Sequence, residues 1–528
     1  MRLRYGNTVA AFAIDALNGH VASEMDQRYD CAMSIRSVLA ATAIMIALLA
    51  GSEAFGQQVL APGRMPRVGE IDARFQSYNI EMVEVTGGRF WKPYGHLDGG
   101  VDQDIYEYRP PIDLTNARLR RLASALAPAY LRVSGTWANA TYFADTENTP
   151  APPRGYNSVL SRAQWRGVVD FAKAVGARIV TSFAVSAGTR DASGEWKPDQ
   201  GSRWLAFTRS LGAAVAAAEY MNEPTLFVQN GAPAGYDATA YGRDFRIFRQ
   251  FMRKASPKTL IAGPGDVSEA GSRLRTRDLL TAIGADIDVF SYHHYGTVSP
   301  RCGGRDTPEQ ALSEQWLART DATLTFYESL RDELAPGRPI WLTETADAAC
   351  GGDPWDTTFL DSFRYLDQLG RLAKAGVQVV MHDTLTGSDY GLLAEKSFTP
   401  QPNYWAALLW HRLMGTIVLD PGVPARAGLH VYAHCDPARS GGVSILAVNT
   451  SPDAQHGLTI PLTAERYTLS AAHLQSTTVQ LNAGTLALDA DDTLPAITGS
   501  PTPAGVVKLP PATITFLAVA RAANPACR

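Results

Sequence analysis

The chain has 528 residues, 45% of them hydrophobic and 19% charged, with 45 Gly and 32 Pro. That composition belongs to a folded protein, not a disordered one, and its length accommodates an α/β barrel of about 250 residues with a second unit beside it. A formal net charge of -4 gives no basic field to recruit nucleic acid, so no nucleic-acid partner is expected and any anionic substrate must be gripped locally.

Near the start, Arg36 precedes an apolar run from Val38 to Ala50 and then the small residues Gly51, Ser52 and Ala54. A positive residue, a short apolar core and small residues make a secretory signal, and the run falls short of the roughly 20 apolar residues of a membrane span. Residues 1–56 are therefore read as signal peptide and leader, with Met33 as a candidate start. The product is expected to be secreted or periplasmic, touching no membrane beyond its signal.

Cysteine usage agrees with export. Cys31 falls before or within the removed segment, leaving Cys302, Cys350, Cys435 and Cys527, an even number suited to an oxidising compartment. Three connectivities are open. The favoured one joins Cys302 to Cys350, which follow two adjacent strands, and Cys435 to Cys527 at the chain end; four buried free thiols are the alternative. No CxxC or paired Cys/His spacing occurs, so no metal site is expected.

Residues 57–77 read as a linker and a strand of a terminal β-sandwich. Strand-like runs then follow at 79–86, 129–133, 178–183, 215–222, 259–262, 287–292, 339–343 and 377–381, eight in all. Helical patterns alternate with them at 114–126, 161–175, 201–211, 241–255, 277–283, 321–334 and 359–375. This alternation over residues 78–412, with no GxGxxG after the first strand, predicts a (β/α)8 TIM barrel. In such barrels the C-terminal strand ends face the active site, where Glu223, His293, Glu344 and Asp383 all stand. From residue 413 to 528 the texture becomes β-rich, with runs at 430–434, 442–449, 458–460, 478–481 and 512–519 between Asn, Asp, Gly and Pro clusters. A C-terminal β-sandwich domain is expected there.

Two stretches carry candidate chemistry: Tyr220-Met221-Asn222-Glu223-Pro224 and Trp341-Leu342-Thr343-Glu344-Thr345. Each delivers a carboxylate where a strand gives way to a loop. Glycoside cleavage needs one protonated carboxyl and one ionised carboxylate, held apart in pKa. Glu223 is the expected acid/base and Glu344 the expected nucleophile, kept ionised by hydrogen bonds from Thr343 and from the run Ser291-Tyr292-His293-His294-Tyr295. Strand alternation turns His293 and His294 to opposite faces, with His293 in the site and His294 packed. Glu219 is expected to make a structural pair instead. Glu84 is a candidate for the substrate pocket. Neither a Ser-His-Asp order nor HExxH occurs.

These residues, with Ala129-Tyr130-Leu131-Arg132-Val133-Ser134-Gly135-Thr136, Gly351-Gly352, the run 385–393 and Asn403-Tyr404-Trp405, resemble the heparanase family, glycoside hydrolase family 79, from about residue 66 to the end. The resemblance implies a retaining β-glucuronidase built of a barrel and a β-sandwich, and no cofactor. It gives Glu223 the acid/base role and Glu344 the nucleophile role, Tyr295 and His293 as their partners, and Thr136, Asn222 and Gly351 as contacts to sugar hydroxyls. Tyr390, with the backbone around Ser388, is implied to hold the sugar carboxylate, and Cys435 and Cys527 fall where the family places a disulfide. Asp383 and Asp389 stand where the family commonly carries neutral residues, and either would repel a uronate unless protonated or turned away. Basic segments for gripping sulfated chains have no counterpart, although Arg89, Lys92, Arg154, Arg190 and Lys197 remain as cleft candidates. The expected substrate is a glucuronide or a glucuronic-acid-containing glycan of heparan type, cleaved internally. Removal of terminal glucuronate from small glucuronides is one alternative, and a non-catalytic glycan-binding protein is another.

Overall fold

A computed structural model describes residues 58–97, 104–227, 232–233, 235–269 and 272–528. The signal segment and Cys31 lie outside the described residues. Eight parallel strands close into a barrel in chain order: β1 Gln76–Glu81, β2 Ala129–Ser134, β3 Ala177–Ser182, β4 Val215–Glu219, β5 Leu260–Asp266, β6 Val289–Val298, β7 Ile340–Ala349 and β8 Val379–His382. The helices between them include α1 Ala117–Ser124, α2 Arg162–Ala174, α3 Asp199–Ser210, α4 Ala238–Ala255, α5 Thr276–Ile283, α6 Arg319–Leu334 and α7 Phe359–Lys374. Local signals set their ends: Ser161 and Gln164 form a capping box on α2, and the Asn116 and Asp237 side chains cap α1 and α4.

The barrel strands are apolar on both faces because helices cover the outside and side chains fill the inside. Tyr130, Val180, Ala217, Ala262, Val289, Trp341, Val379 and Met381 form one interior cluster. Tyr130 and Trp341, with ring centroids 4.9 Å apart, plug the lower barrel. Two residues further along several strands the interior turns polar: Arg132 follows Tyr130, Ser182 follows Val180, Glu219 follows Ala217 and Ser291 follows Val289. That change of layer marks the floor of the site.

Strict alternation from Trp341 would point Thr343 inward and Glu344 outward. Instead, the pairing of β6 with β7 steps from Tyr292↔Leu342 to His293↔Glu344, skipping Thr343. The pairing of β7 with β8 shifts between Leu342 and Thr345. This bulge re-aims Glu344 into the barrel, a common use of an extra strand residue beside an active site.

The first strand ends earlier than the sequence pattern suggests. It stops at Glu81, and Met82–Thr86 forms a one-turn helix with a reciprocal Glu81/Glu84 capping box. Glu84 is therefore a helix residue, not a strand end.

After the helix Pro402–Leu413, Ile417–Leu419 pairs with Arg67–Glu70 and opens a mainly antiparallel sheet that includes Leu429–Cys435, Val443–Asn449, Ala464–Ser470 and Thr513–Val519. A smaller sheet joins Gln58–Val59, His456–Ile460 and Gly505–Leu509. Leu458, Ile460, Val507 and Leu509 of the small sheet share one apolar cluster with Val431, Val443, Ile445 and Leu517 of the large one. Disulfides join Cys302 to Cys350 and Cys435 to Cys527, the favoured pairs. No helix among the described residues is long and apolar enough to cross a membrane.

Candidate active site

Arg132, 1% exposed, organises the barrel mouth. Its Nη1 donates to Glu344 Oε2 at 2.7 Å, its Nε to Glu219 Oε2 at 3.0 Å and its Nη2 to Asn222 Oδ1 at 2.8 Å. Burial alone would lower its pKa, but the carboxylates of Glu219 and Glu344 outweigh that and hold it charged. Glu219 thus makes the structural pair expected of it. Asn222 is fixed a second time by Asn139, whose Oδ1 accepts from the Asn222 N–H at 2.9 Å and whose Nδ2 donates to its carbonyl at 2.8 Å.

Glu223 follows with φ of 45°, a left-handed conformation that a non-glycine residue adopts only when its surroundings hold it there. The strained turn lifts its carboxyl toward His293, whose Nδ1 lies 3.0 Å from Glu223 Oε1. Burial and the neighbouring charge of Glu344 raise the Glu223 pKa above its ordinary value, outweighing His293 and Arg132. Glu344 shifts the other way. Burial would raise it, but His293, Arg132 and the Tyr295 hydroxyl, which donates to Oε1 at 2.7 Å, hold it below the ordinary value. His293 itself is raised, the two glutamates outweighing its burial. One oxygen of Glu223, one of Glu344 and a ring nitrogen of His293 lie within 4.8 Å of one another. Two carboxyls with opposed proton affinities in one buried site are the arrangement that glycosidic bond cleavage requires.

The donors to Glu344 differ in part from those expected. Thr343 Oγ1 is buried with no hydrogen-bond partner among the described residues, because the bulge turns it away, and Arg132 donates to Glu344 instead. His294 is packed as expected: buried beside Thr320 Oγ1 at 3.4 Å, with its pKa lowered to about 3 by desolvation.

Around this pair lies an acidic wall. Asp383 Oδ2 lies 3.2 Å from the Tyr295 hydroxyl oxygen and against the Tyr390 phenol. Burial and Glu344 raise its pKa to about 7. Oxygens of Glu81, Glu344 and Asp383 lie within 4.8 Å of one another. Burial, first, and neighbouring carboxylates raise both Glu81 and Glu84 well above the ordinary range. A side chain at Gly387 would strike Glu84 Oε1 at 2.6 Å, which places Glu84 directly under the segment bearing Ser388 and Tyr390. Ser388 Oγ donates to the Gly351 carbonyl at 2.7 Å and so ties the two loops together. Thr136, itself exposed, opens the turn Thr136–Ala140 after β2, whose Asn139 is buried. Asp389 is turned to Arg301, whose Nη2 donates to it at 2.5 Å.

Arg132, Asn139 and Glu81 were not singled out from the sequence. For Arg132 a signal existed, an arginine inside an otherwise apolar strand. Of the cleft cations, Arg190 is withdrawn: its side chain is 5% exposed and its Nη1 donates to Asp244 at 2.6 Å. Arg89 is paired with Asp104.

The family model "Glycosyl hydrolase family 79, N-terminal domain" matches residues 111–370. Heparanase of Gallus gallus is 30% identical over 362 residues, covering 65% of this chain and 67% of the relative. The chain belongs to glycoside hydrolase family 79. Heparanase of Mus musculus is 28% identical over 478 residues, covering 78% of this chain and 88% of the relative. Baicalin-beta-D-glucuronidase of Scutellaria baicalensis is 26% identical over 437 residues, covering 73% and 79%. Among solved structures, a 4-O-alpha-L-rhamnosyl-beta-D-glucuronidase from Fusarium oxysporum 12S superposes with a TM-score of 0.62 at 12% identity, covering 87% of this chain and 99% of that one, a likeness of fold. This family 79 member is a glycoside hydrolase with a TIM barrel, and the bulge at Thr343 and the strained turn at Glu223 are how this chain presents two carboxyls at the barrel mouth.

Proposed function

We propose that this family 79 enzyme cleaves β-glucuronide linkages with retention of configuration. The observation that carries the reading is the Glu223–Glu344 pair, whose nearest oxygens lie within 4.8 Å. Retaining enzymes hold their carboxyls about 5 to 5.5 Å apart, whereas inverting enzymes need about 6.5 Å or more to admit water. Glu344, ionised, attacks the anomeric carbon while Glu223 gives its proton to the leaving oxygen. Glu223 then takes a proton from water, which releases the sugar from Glu344. Each bond made is matched by one broken, and the step calls for no cofactor.

Tyr295 and Arg132 hold the Glu344 oxygens, which fixes the attacking lone pair. Asn222, whose Oδ1 is engaged by Arg132, presents its NH2 to a sugar hydroxyl. Thr136 and the Gly351 backbone border the sugar, and Tyr390 with the backbone about Ser388 receives the uronate. Glu84 and Asp383 oppose a uronate when ionised and donate to it when protonated, so their raised pKa values favour catalysis in acid.

The substrate class is a glucuronic-acid-containing glycan of heparan type, in line with the heparanase relatives. Exo-cleavage of small glucuronides is the second reading. It is favoured by the engagement of Arg89, Arg190 and Arg301 by Asp104, Asp244 and Asp389, which leaves these cations poorly placed for a sulfated chain. We further read residues 57–77 with 413–528 as a β-sandwich domain packed on a catalytic barrel of residues 78–412, and the two disulfides as support for a secreted or periplasmic protein.

A chromogenic β-glucuronide tests the reading. Turnover by the wild type that falls at least about 100-fold in Glu223→Gln and Glu344→Gln supports it. No turnover, or turnover indifferent to both changes, favours glycan binding alone. Sizing products from defined oligosaccharides separates internal from terminal cleavage.

A further inference from the structure

Just past Glu344, strand β7 carries Asp347, and the loop that follows carries Asp353 and Asp356. All three are buried, at 1%, 1% and 2% exposure. One carboxylate oxygen from each lies within 4.8 Å of the other two. The surrounding arginines are already matched to other acids: Arg364 Nη2 donates to Asp361 at 2.9 Å, Arg301 Nη2 to Asp389 at 2.5 Å and Arg319 Nη1 to Asp306 at 2.9 Å. Asp347 has a distant share of Arg364, at 3.7 Å, and faces the Asp356 carboxyl. Asp356 Oδ2 accepts the Asp353 backbone N–H at 2.9 Å.

Three carboxyls are thus left over in the protein interior. Among the described residues neither oxygen of Asp353 has a hydrogen-bond partner, nor have Asp347 Oδ2 and Asp356 Oδ1. Leaving buried carboxylates unpaired is very costly, so such groups either neutralise or hold a cation. Asp353 is the informative member, because it is fully enclosed and aimed into the cluster with both oxygens unused.

We propose that Asp347, Asp353 and Asp356 bind a divalent cation, calcium in the first instance. The donor set is all oxygen, which suits hard cations and not zinc or copper. Oxygens spaced within 4.8 Å of one another need only small adjustment to surround an ion at calcium's bond length of about 2.3 to 2.6 Å. The sequence offered no sign of it, since the three acids share no familiar ligand spacing. The ion fastens the loop to the end of β7. That loop bears Cys350, bonded to Cys302, and Gly351, whose carbonyl accepts from Ser388, so the ion braces one wall of the catalytic site without touching the reacting atoms.

The test uses the whole enzyme, stripped with chelator and dialysed at pH 7.5 into metal-free buffer or into buffer with about 1 mM calcium chloride. Elemental analysis and thermal unfolding are then compared for the wild type, Asp353→Asn and Asp356→Asn. The expected result is about one calcium per wild-type chain, a melting temperature at least about 3 °C higher with calcium than without, and loss of both in the folded variants. Two variants are included so that failure of one to fold leaves the other as the readout. Absence of bound calcium with no shift in the wild type overturns the proposal. An unchanged calcium response in the variants overturns it too, since the ion would then sit elsewhere, as at Glu81, Glu344 and Asp383. Both readouts stand apart from glucuronide cleavage.

Discussion

Arg132 Nη1 lies 2.7 Å from Glu344 Oε2, and the same guanidinium reaches Asn222 Oδ1 at 2.8 Å with its other terminal nitrogen. One buried cation therefore acts, with His293, on the ionisation of Glu344, the proposed nucleophile, and positions Asn222, the residue before the proposed acid/base. The pKa directions of Glu223 and Glu344 are opposed because His293, Arg132 and Tyr295 together outweigh burial at Glu344, whereas burial and the charge of Glu344 outweigh His293 and Arg132 at Glu223.

Removing that cation should cost both activity and stability. Arg132→Met leaves Glu219 and Glu344 buried with their main partner gone, a change expected to destabilise the fold by about 3 to 5 kcal/mol. Arg132→Lys keeps the charge but loses the fork that spans three partners. Urea unfolding and pH profiles of kcat/KM check this. The acid limb, set by Glu344, should move to higher pH in Arg132→Lys, because a weaker partner holds the carboxylate less firmly.

The pH dependence of the wild type should be bell-shaped. The proposed mechanism needs Glu344 ionised and Glu223 protonated. The acid limb therefore falls below the ordinary glutamate value of 4.5, since Glu344 is lowered, and the alkaline limb lies above 4.5, since Glu223 is raised. In Glu223→Gln the part of the alkaline limb set by Glu223 should vanish along with most of the turnover, leaving the fall set by Asp383, and an aryl glucuronide with a good leaving group should lose less than one with a poor leaving group.

Asp383 makes a separate prediction. Its folded-state value of about 7 stands above the ordinary 3.8, so the folded protein holds this proton more tightly than the unfolded chain. The resulting stability is full below about pH 3.8 and is lost as pH rises through 7. Asp383→Asn should therefore gain thermal stability relative to the wild type at pH 8 but not at pH 4. With a glucuronide substrate, the wild type should lose kcat/KM above pH 7 as a second negative charge appears beside the uronate, by about tenfold per unit, and Asp383→Asn should lose much less. A flat difference between the two enzymes across this range would count against Asp383 facing the sugar.

The Cys435–Cys527 disulfide closes a span of 92 residues and anchors the chain end. Its removal by the double change to serine should cost about 2 to 5 kcal/mol, measured as a drop in melting temperature, with little change in kcat/KM for enzyme that remains folded.

The barrel was legible because its strands are mostly apolar and its helices carry clear periodicity and caps, so all eight expected strands overlap observed ones, although the first ends five residues earlier than expected and β6 and β7 run six residues further. The two carboxyls were legible because each ends a strand-like run. What the sequence hid is local and long-range geometry. The capping box that turns Glu84 into a helix residue competes with the β-branched run around it. The skip at Thr343, which decides that Glu344 and not its neighbour faces inward, leaves no mark in the residue pattern. Arg132, Asn139 and Glu81 come to the site from strands and turns whose register only closure of the barrel determines. Asp347, Asp353 and Asp356 were passed over because, on one strand and the loop after it, they share no familiar ligand spacing.

The convergence of Glu223 and Glu344 on one anomeric carbon is tested most directly by trapping the glycosyl-enzyme. Incubation with a 2-deoxy-2-fluoro-β-glucuronosyl fluoride, whose second step is slowed, followed by proteolysis and peptide mass spectrometry, should place one sugar on the peptide containing Glu344 and on its carboxyl. Accumulation should be slower in Arg132→Lys. A sugar found on another residue, or an active enzyme that is never labelled and releases the α-anomer first, would contradict the assignment.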